Sequence, residues 1–182
     1  WFIGTQVQTI DPKGRLVLPA RFVRVLPEGQ NTMVLTVGTD PCLLLYPMHE
    51  WSRMAEGLRA LARNEATRNA VRFVSDHSTE LELDAHGRLT VPRDFLRLAA
   101  IERDVAVVGL LGHIELWARG AYEQRAEERG PPAAMTPAVV ALGGLDRWGG
   151  LHETDVARLR LGLDQDLGRP VTVPDQKTEN SH

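Results

Sequence analysis

Residues Asp11-Pro12-Lys13-Gly14-Arg15-Leu16-Val17-Leu18-Pro19-Ala20-Arg21-Phe22 return, 73 positions later, as Asp84-Ala85-His86-Gly87-Arg88-Leu89-Thr90-Val91-Pro92-Arg93-Asp94-Phe95. The shared frame is Asp-x-x-Gly-Arg-Leu-x-(Leu/Val)-Pro-x-x-Phe. A second echo follows each copy. Leu43-Leu44-Leu45-Tyr46, with Trp51 five residues on, matches Ile114-Glu115-Leu116-Trp117, with Tyr122 five residues on. The chain is two copies of one small unit, and its function is expected in what the repeated Gly-Arg pair presents.

At 182 residues, the chain is long enough for one medium domain or two small ones with a proper core. A single cysteine, Cys42, excludes a disulfide framework within the chain and any Cys-rich zinc site. Its neighbours Pro41 and Leu43 predict a buried thiol. No apolar run approaches a membrane span, and no basic segment leads into an apolar one at the start, so the expectation is a soluble cytoplasmic protein. Trp1 stands where an initiator Met is expected, which suggests an altered or trimmed start.

The net charge of −3 is unevenly spread: residues 1–125 hold 15 basic and 15 acidic side chains, residues 126–182 hold 6 and 9. Of the 21 basic residues all but Lys13 and Lys177 are Arg. Arg suits two-pronged contacts to phosphate or guanine, and GC-rich coding favours it equally. Local placement, not net charge, must decide whether nucleic acid is a partner.

In the first unit, Thr5–Ile10 reads as a strand and Asp11-Pro12-Lys13-Gly14 as a type I turn, with Asp first, Pro second and Gly fourth. Arg15–Leu18 returns as a strand, Arg15 and Val17 on one face, Leu16 and Leu18 on the other. Pro19 opens a short helix over Ala20–Leu26. Strands are predicted at Thr32–Val37 and Cys42–Tyr46. An amphipathic helix follows over Met48–Arg63, with Trp51, Met54, Leu58 and Leu61 at helical spacing. The second unit repeats this order. An entering strand carries Leu81 and Leu83, the turn spans Asp84–Gly87, and Arg88–Val91 returns. A helix then runs from Pro92 to Ala99, strands cover Val105–Val108 and His113–Trp117, and a helix covers Gly120–Arg129. A further helix, Glu65–Ser75, joins the halves, with Ala66, Ala70 and Phe73 on one face.

The stretch from Gly130 to His182 lies outside the repeat and contains seven Gly and five Pro, so it reads as loosely structured. Short helices are predicted from Thr136 to Gly143 and from Thr154 to Leu161. Gly168-Arg169-Pro170 faintly echoes the repeat, but its Pro interrupts the return strand.

Asp11, Gly14, Asp84 and Gly87 are read as the architecture of the turns. Neither the turn nor the inward Leu face asks for a guanidinium, which leaves two readings for Arg15 and Arg88. One is a strand Arg that is solvated or paired with the nearby Asp. The other is a contact residue on a β-ribbon that enters the DNA major groove, where Arg bridges guanine O6 and N7. Lys13, Arg21 and Arg24 around the first ribbon, and Arg93 with Arg97 after the second, would then reach phosphates, though for Arg21, Arg24, Arg93 and Arg97 a solvated helix face is the slightly better account. Asp94 beside Arg93 weakens the second cluster. Enzyme readings lack support: there is no phosphate loop, no dinucleotide fingerprint and no His-Glu-x-x-His, and the six histidines are scattered. Asp76-His77-Ser78 has the residue types of a hydrolase triad in adjacent positions that do not supply its geometry. Neither a cofactor, a metal nor a small-molecule substrate is implied. Trp51, Trp117 and Tyr122 read as core or subunit contacts.

The doubled Asp-x-x-Gly-Arg-Leu-x-(Leu/Val)-Pro, the stretch Pro41-Cys42-Leu43-Leu44-Leu45-Tyr46-Pro47 and the ending Glu115-Leu116-Trp117 together resemble the MraZ family of bacterial transcriptional regulators, in order and spacing, from Phe2 to about Arg125. The resemblance implies a β-rich α+β fold, a double-psi, swapped-hairpin barrel of the AbrB/MazE type. Two internal repeats form it as a pseudo-dimer, with short peripheral helices. The segments expected are a first repeat over 1–54, a helical connector over 55–76, a second repeat over 77–126 and a C-terminal extension over 127–182. The resemblance also implies ring-like homo-oligomers that bind short direct repeats in double-stranded DNA. The site expected is the promoter of the division and cell-wall gene cluster, including the regulator's own gene, which would place the protein at the nucleoid. By position, the family's DNA-contacting Arg falls on Arg15, with Arg88 as its counterpart and Lys13 alongside. His86 replaces Lys13 in the second turn, a side chain only partly charged near neutral pH. The extension is an addition to the family's pattern, and its acidic excess suggests competition for the Arg surface. The rival expectation is an oligomeric protein-interaction module without specific DNA binding.

Overall fold

Gly14 and Gly87 lie at φ +82° and +72°, the left-handed region that side chains disfavour. Each closes a four-residue reversal. The Gly14 amide donates to the Asp11 carbonyl and the Gly87 amide to the Asp84 carbonyl, both at 2.9 Å. The turn chemistry read from Asp and Gly is therefore present in both copies of this computed structural model, which describes residues 1–61 and 64–129. The short helices expected beyond Gly130 and the faint third echo lie outside the described residues.

The elements are β1 (Phe2–Thr9), β2 (Arg15–Val17), α1 (Ala20–Val23), β3 (Thr32–Val37), β4 (Cys42–Pro47), α2 (Met48–Leu61), α3 (Glu65–Asp76), β5 (Ser78–Glu82), β6 (Arg88–Thr90), α4 (Arg93–Leu98), β7 (Asp104–Leu111), β8 (His113–Ala118) and α5 (Arg119–Arg129). Among the described residues, eight strands form a six-stranded antiparallel sheet, ordered β1-β7-β8-β4-β3-β5, and a separate two-stranded ribbon of β2 and β6. The order shows an exchange between the repeats. The entering strand of the first repeat, β1, pairs with β7 of the second; β5 of the second pairs with β3 of the first. The halves meet at β4 and β8, where Leu43 faces Leu116 and Leu45 faces Ile114. An approximate two-fold axis thus relates the repeats within Trp1–Glu128, one compact unit. This is the β-rich α+β swapped-hairpin arrangement of two internal repeats.

One expectation needs correction. The sequence suggested two local ribbons, each an entering strand, a turn and a return strand. Beyond the turns, β1 and β2 take different partners. The two return strands pair with each other, Arg15 opposite Thr90, Leu16 opposite Leu89 and Val17 opposite Arg88. Backbone bonds extend this ribbon at both ends: Leu18 N donates to Gly87 O at 2.9 Å and Val91 N to Gly14 O at 2.8 Å. There is one ribbon, and both repeats build it.

The inward alternation is as expected. Leu16, Leu18, Leu89 and Val91 are buried in the same cluster as Phe2, Phe22, Met33, Leu35, Leu43, Leu45, Ile114 and Leu116. That apolar area is what fastens the short ribbon to the large sheet. The second echo has a structural meaning too. Tyr46 lies 6.0 Å from Trp51, and Trp117 lies 6.1 Å from Tyr122, ring centre to ring centre. In each half an aromatic pair clasps the last strand to the following helix. Cys42 is buried as expected; burial, with the charges of Glu115 and Asp40 nearby, pushes its thiol up to about 12.

Elsewhere the elements differ in extent. Helix α1 is a single turn, ending before the Arg24–Leu26 stretch assigned to it. Strand β7 runs on past Val108 to Leu111, because β1 begins at Phe2 and supplies partners as far as Phe2 opposite Leu111. On α3 the face that carries Ala66, Ala70 and Phe73 is exposed, while Thr67, Val71 and Val74 are half-buried. Phe73 stays 54% exposed, its ring stacked on His77 with centroids 4.3 Å apart, and Val71 and Val74 supply the half-buried apolar side chains of the helix. The helix starts at a capping box in which the Asn64 side chain accepts from Thr67 N and the Thr67 side chain from Asn64 N.

Candidate nucleic-acid interface

Each turn is organised by one carboxylate. Asp11 Oδ1 accepts from the amides of Lys13 at 2.8 Å and Arg15 at 2.9 Å, while its Oδ2 accepts from Arg15 Nε at 2.6 Å. Asp84 repeats the pattern with His86 N at 2.8 Å, Arg88 N at 3.0 Å and Arg88 Nε at 2.8 Å. A carboxylate that accepts so many bonds favours its ionised form. The Arg88 backbone amide, then its side chain, the His86 amide and the Arg88 charge hold Asp84 down at about 2. The corresponding bonds from Arg15 and Lys13 lower Asp11 in the same way.

These contacts revise the idea that the turn has no use for a guanidinium. Arg15 and Arg88 are tied by Nε to the Asp that builds their own turn. Both nevertheless remain accessible, with side chains 49% and 42% exposed. Among the described residues, neither makes a further hydrogen bond through Nη1 or Nη2. The Asp fixes the direction of the side chain and leaves the two-pronged end open.

The pairing of β2 with β6 brings the two Arg residues together. Residues opposite one another in a ladder share a face, so Arg15, Val17, Arg88 and Thr90 all stand on the outer face of the ribbon, with Leu16 and Leu89 beneath. Arg15 and Arg88 are diagonal neighbours there, a relation that places Cα atoms about 7–8 Å apart in sheets. Val17 is 46% exposed between them. Alternation had placed Val17 beside Arg15; that Thr90 and Arg88 complete the same face depends on long-range pairing.

The surrounding cations are disposed unequally. Lys13 is exposed in the first turn, and His86 holds the equivalent place in the second. Arg21 lies over the Phe22 ring at 5.1 Å and packs against Gly4 of β1. Arg24 and His86 line a groove of about 440 Å³ beside the second turn, together with Gln6, Gln8, Ala20 and Ala85. The two Gln residues carried no signal in the sequence; they enter because β1 runs along this groove. Arg93 donates through Nη2 to the Pro12 carbonyl at 2.9 Å. Asp94 pairs with Arg97 on the same helix, so that Arg is partly neutralised. Among the described residues, no group of His, Cys, Asp and Glu is arranged to hold a metal ion, and no helix is long and apolar enough to cross a membrane.

Two Gly-Arg turns interlocked across an internal two-fold axis define a single-chain protein of the AbrB-like class, with two repeats in place of two subunits. The family model described as "MraZ protein, putative antitoxin-like" matches residues 1–74 and again residues 75–135. A protein of Moorella thermoacetica named transcriptional regulator MraZ is 40% identical over 128 residues, covering 70% of this chain and 87% of its own length. Relatives of the same name from Desulfitobacterium hafniense and Shewanella frigidimarina are 38% and 35% identical, covering 73% and 70% of this chain and 94% and 86% of their own. The chain belongs to the MraZ family. These relatives carry the name of a regulator, not of an enzyme.

Proposed function

We propose that this protein is a sequence-specific DNA-binding transcriptional regulator, and that Arg15 and Arg88 are its principal contacts. The observation that carries the proposal is their common placement on the outer face of one ribbon, each aimed by an Asp bonded to its Nε. A guanidinium held this way keeps Nη1 and Nη2 for a two-pronged contact to guanine or phosphate, with less orientational freedom to lose on binding. A two-stranded ribbon fits the major groove, and the Val17 side chain on its face offers apolar contact to thymine methyls. Lys13, Arg21, Arg24 and His86 would supply flanking phosphate contacts, which position without reading sequence.

The target we favour is the one the family resemblance implies: short direct repeats upstream of the division and cell-wall gene cluster, including the protein's own gene. The repeat region is electrically neutral, so one copy has little general attraction to DNA. A ring-like homo-oligomer would compensate, because several linked ribbons multiply weak contacts into avidity. Such a regulator works in the cytoplasm, at the nucleoid.

A gel-shift titration against the DNA upstream of the protein's own gene tests this reading. Arg15→Ala and Arg88→Ala should each weaken binding, on the scale of about 1–3 kcal/mol for a lost two-pronged base contact. Affinity should fall steeply with salt. Equal affinity for random DNA would defeat the regulator reading in favour of a protein-interaction module.

A further inference from the structure

The two halves of the ribbon share one design, but among the described residues an Arg braces only one of the two turns. Arg93, the first residue of α4, reaches across the two-fold axis to the Pro12 carbonyl of the first turn at 2.9 Å. The equivalent first residue of α1 is Ala20, and the equivalent of Pro12 is Ala85. Ala85 keeps the equivalent carbonyl, but Ala20 has no side-chain donor to reach it, and the place the Arg side chain would take is part of the open groove that Ala20, Ala85 and His86 line. The first turn is also the stiffer by composition, since Pro12 fixes a backbone dihedral that Ala85 leaves free. A backbone contact differs as well. A Cβ at Gly14 would lie 2.5 Å from the Val91 carbonyl oxygen, whereas at Gly87 it would meet only a Val23 methyl at 3.2 Å.

We propose that Arg93 is a positioning residue: through Pro12 it fixes the first Gly-Arg turn for DNA contact, while the second turn, unbraced beside its groove, adjusts to the site. The brace is a property of the free protein, and its effect on DNA rests on the DNA-binding reading. Arg93 therefore acts on DNA through the turn and not as a phosphate contact of its own. A specific complex would pair one pre-set half-contact with one that adapts.

Amide hydrogen exchange on the whole protein tests the brace without DNA. Protection at Gly14 should exceed that at Gly87 by about two- to fivefold, the scale of one exposed, charge-assisted bond. Arg93→Ala should bring Gly14 down to the level of Gly87. Ala20→Arg, which rebuilds the brace on the other side, should raise Gly87. Equal protection in the wild type, or a Gly14 value that Arg93→Ala leaves unchanged, overturns the brace. For DNA, Arg93→Ala should lower affinity several-fold with the salt slope unchanged, and Arg93→Lys should restore part of the loss. A slope reduced by about one identifies a direct phosphate contact and overturns the positioning role, as does unchanged affinity. If the wild type shows no preference for its upstream DNA, the regulator reading and the DNA half of this proposal both fall, and the exchange data still decide the brace.

Discussion

At the residue scale, Gly14 does two jobs that no other residue does as well. Its φ of +82° belongs to the left-handed region, and a Cβ there would sit 2.5 Å from the Val91 carbonyl oxygen. Because that oxygen is backbone, relief would require the ribbon itself to move. Gly14→Ala should therefore destabilise the protein by about 2 kcal/mol or more, and Gly87→Ala by less, since a methyl group can give way. Urea denaturation of the two variants measures the difference. The carboxylates give a pH test. Asp84 is held at about 2 against an ordinary 3.8, and Asp11 is lowered in the same direction. A carboxylate whose folded-state value is depressed stabilises fully above its ordinary value and loses that contribution as pH falls toward the folded one. Stability should thus decline from about pH 4 towards pH 2, and less steeply in Asp84→Asn than in the wild type. The roles of Asp and Gly were readable from turn chemistry alone. The role of Arg15 was not, because a guanidinium four residues after an Asp is compatible with pairing, solvation or contact. The structure combines two of these, pairing through Nε and exposure of the rest.

At the scale of elements, alternation and turn residues located the strands, most of them short and close to Gly, Pro or Asp, while the eight-residue β1 and β7 run further than expected. What they could not locate was the partner of each strand. Asp11 to Gly14 is a tight reversal, and the local reading of such a turn is a hairpin; yet β2 pairs with β6, 73 residues away in the repeat. The preference is set by burial. Leu16 and Leu89 face each other on the two-fold axis with 0% and 2% exposure, which joining the strands across the halves makes possible. Leu16→Ala should cost about 2–5 kcal/mol, the range for a fully buried leucine. The loss should appear as a lower denaturation midpoint together with faster amide exchange in β6. The half-buried face of α3 was not legible from spacing: Ala66, Ala70 and Phe73 share a helix face as well as Val71 and Val74 do, and only the tertiary fold makes the second face the half-buried one.

For the whole molecule, exchange of β1 and β5 means that neither repeat holds a complete sheet. The first contributes β3 and β4 but borrows β5, and the second borrows β1. Unfolding of Trp1–Glu128 should accordingly be a single cooperative transition by circular dichroism and by tryptophan fluorescence. A fragment of residues 1–76 should not fold as a monomer. It should be unfolded when dilute and acquire strand content only by pairing with another copy, which analytical ultracentrifugation would detect. Two independent transitions, or a folded monomeric fragment, would contradict the exchanged topology.

The axis that runs between Leu16 and Leu89 has a genetic consequence. In a true homodimer one codon specifies both halves of the contact surface, so any change is made twice and the surface stays symmetric. Here each half has its own codons. A single base change can alter Lys13 and spare His86, or remove Arg93 and leave Ala20 as it was. If the ribbon reads DNA as proposed, matching an asymmetric site is a sequence of single steps, each of which leaves one half of the ribbon intact.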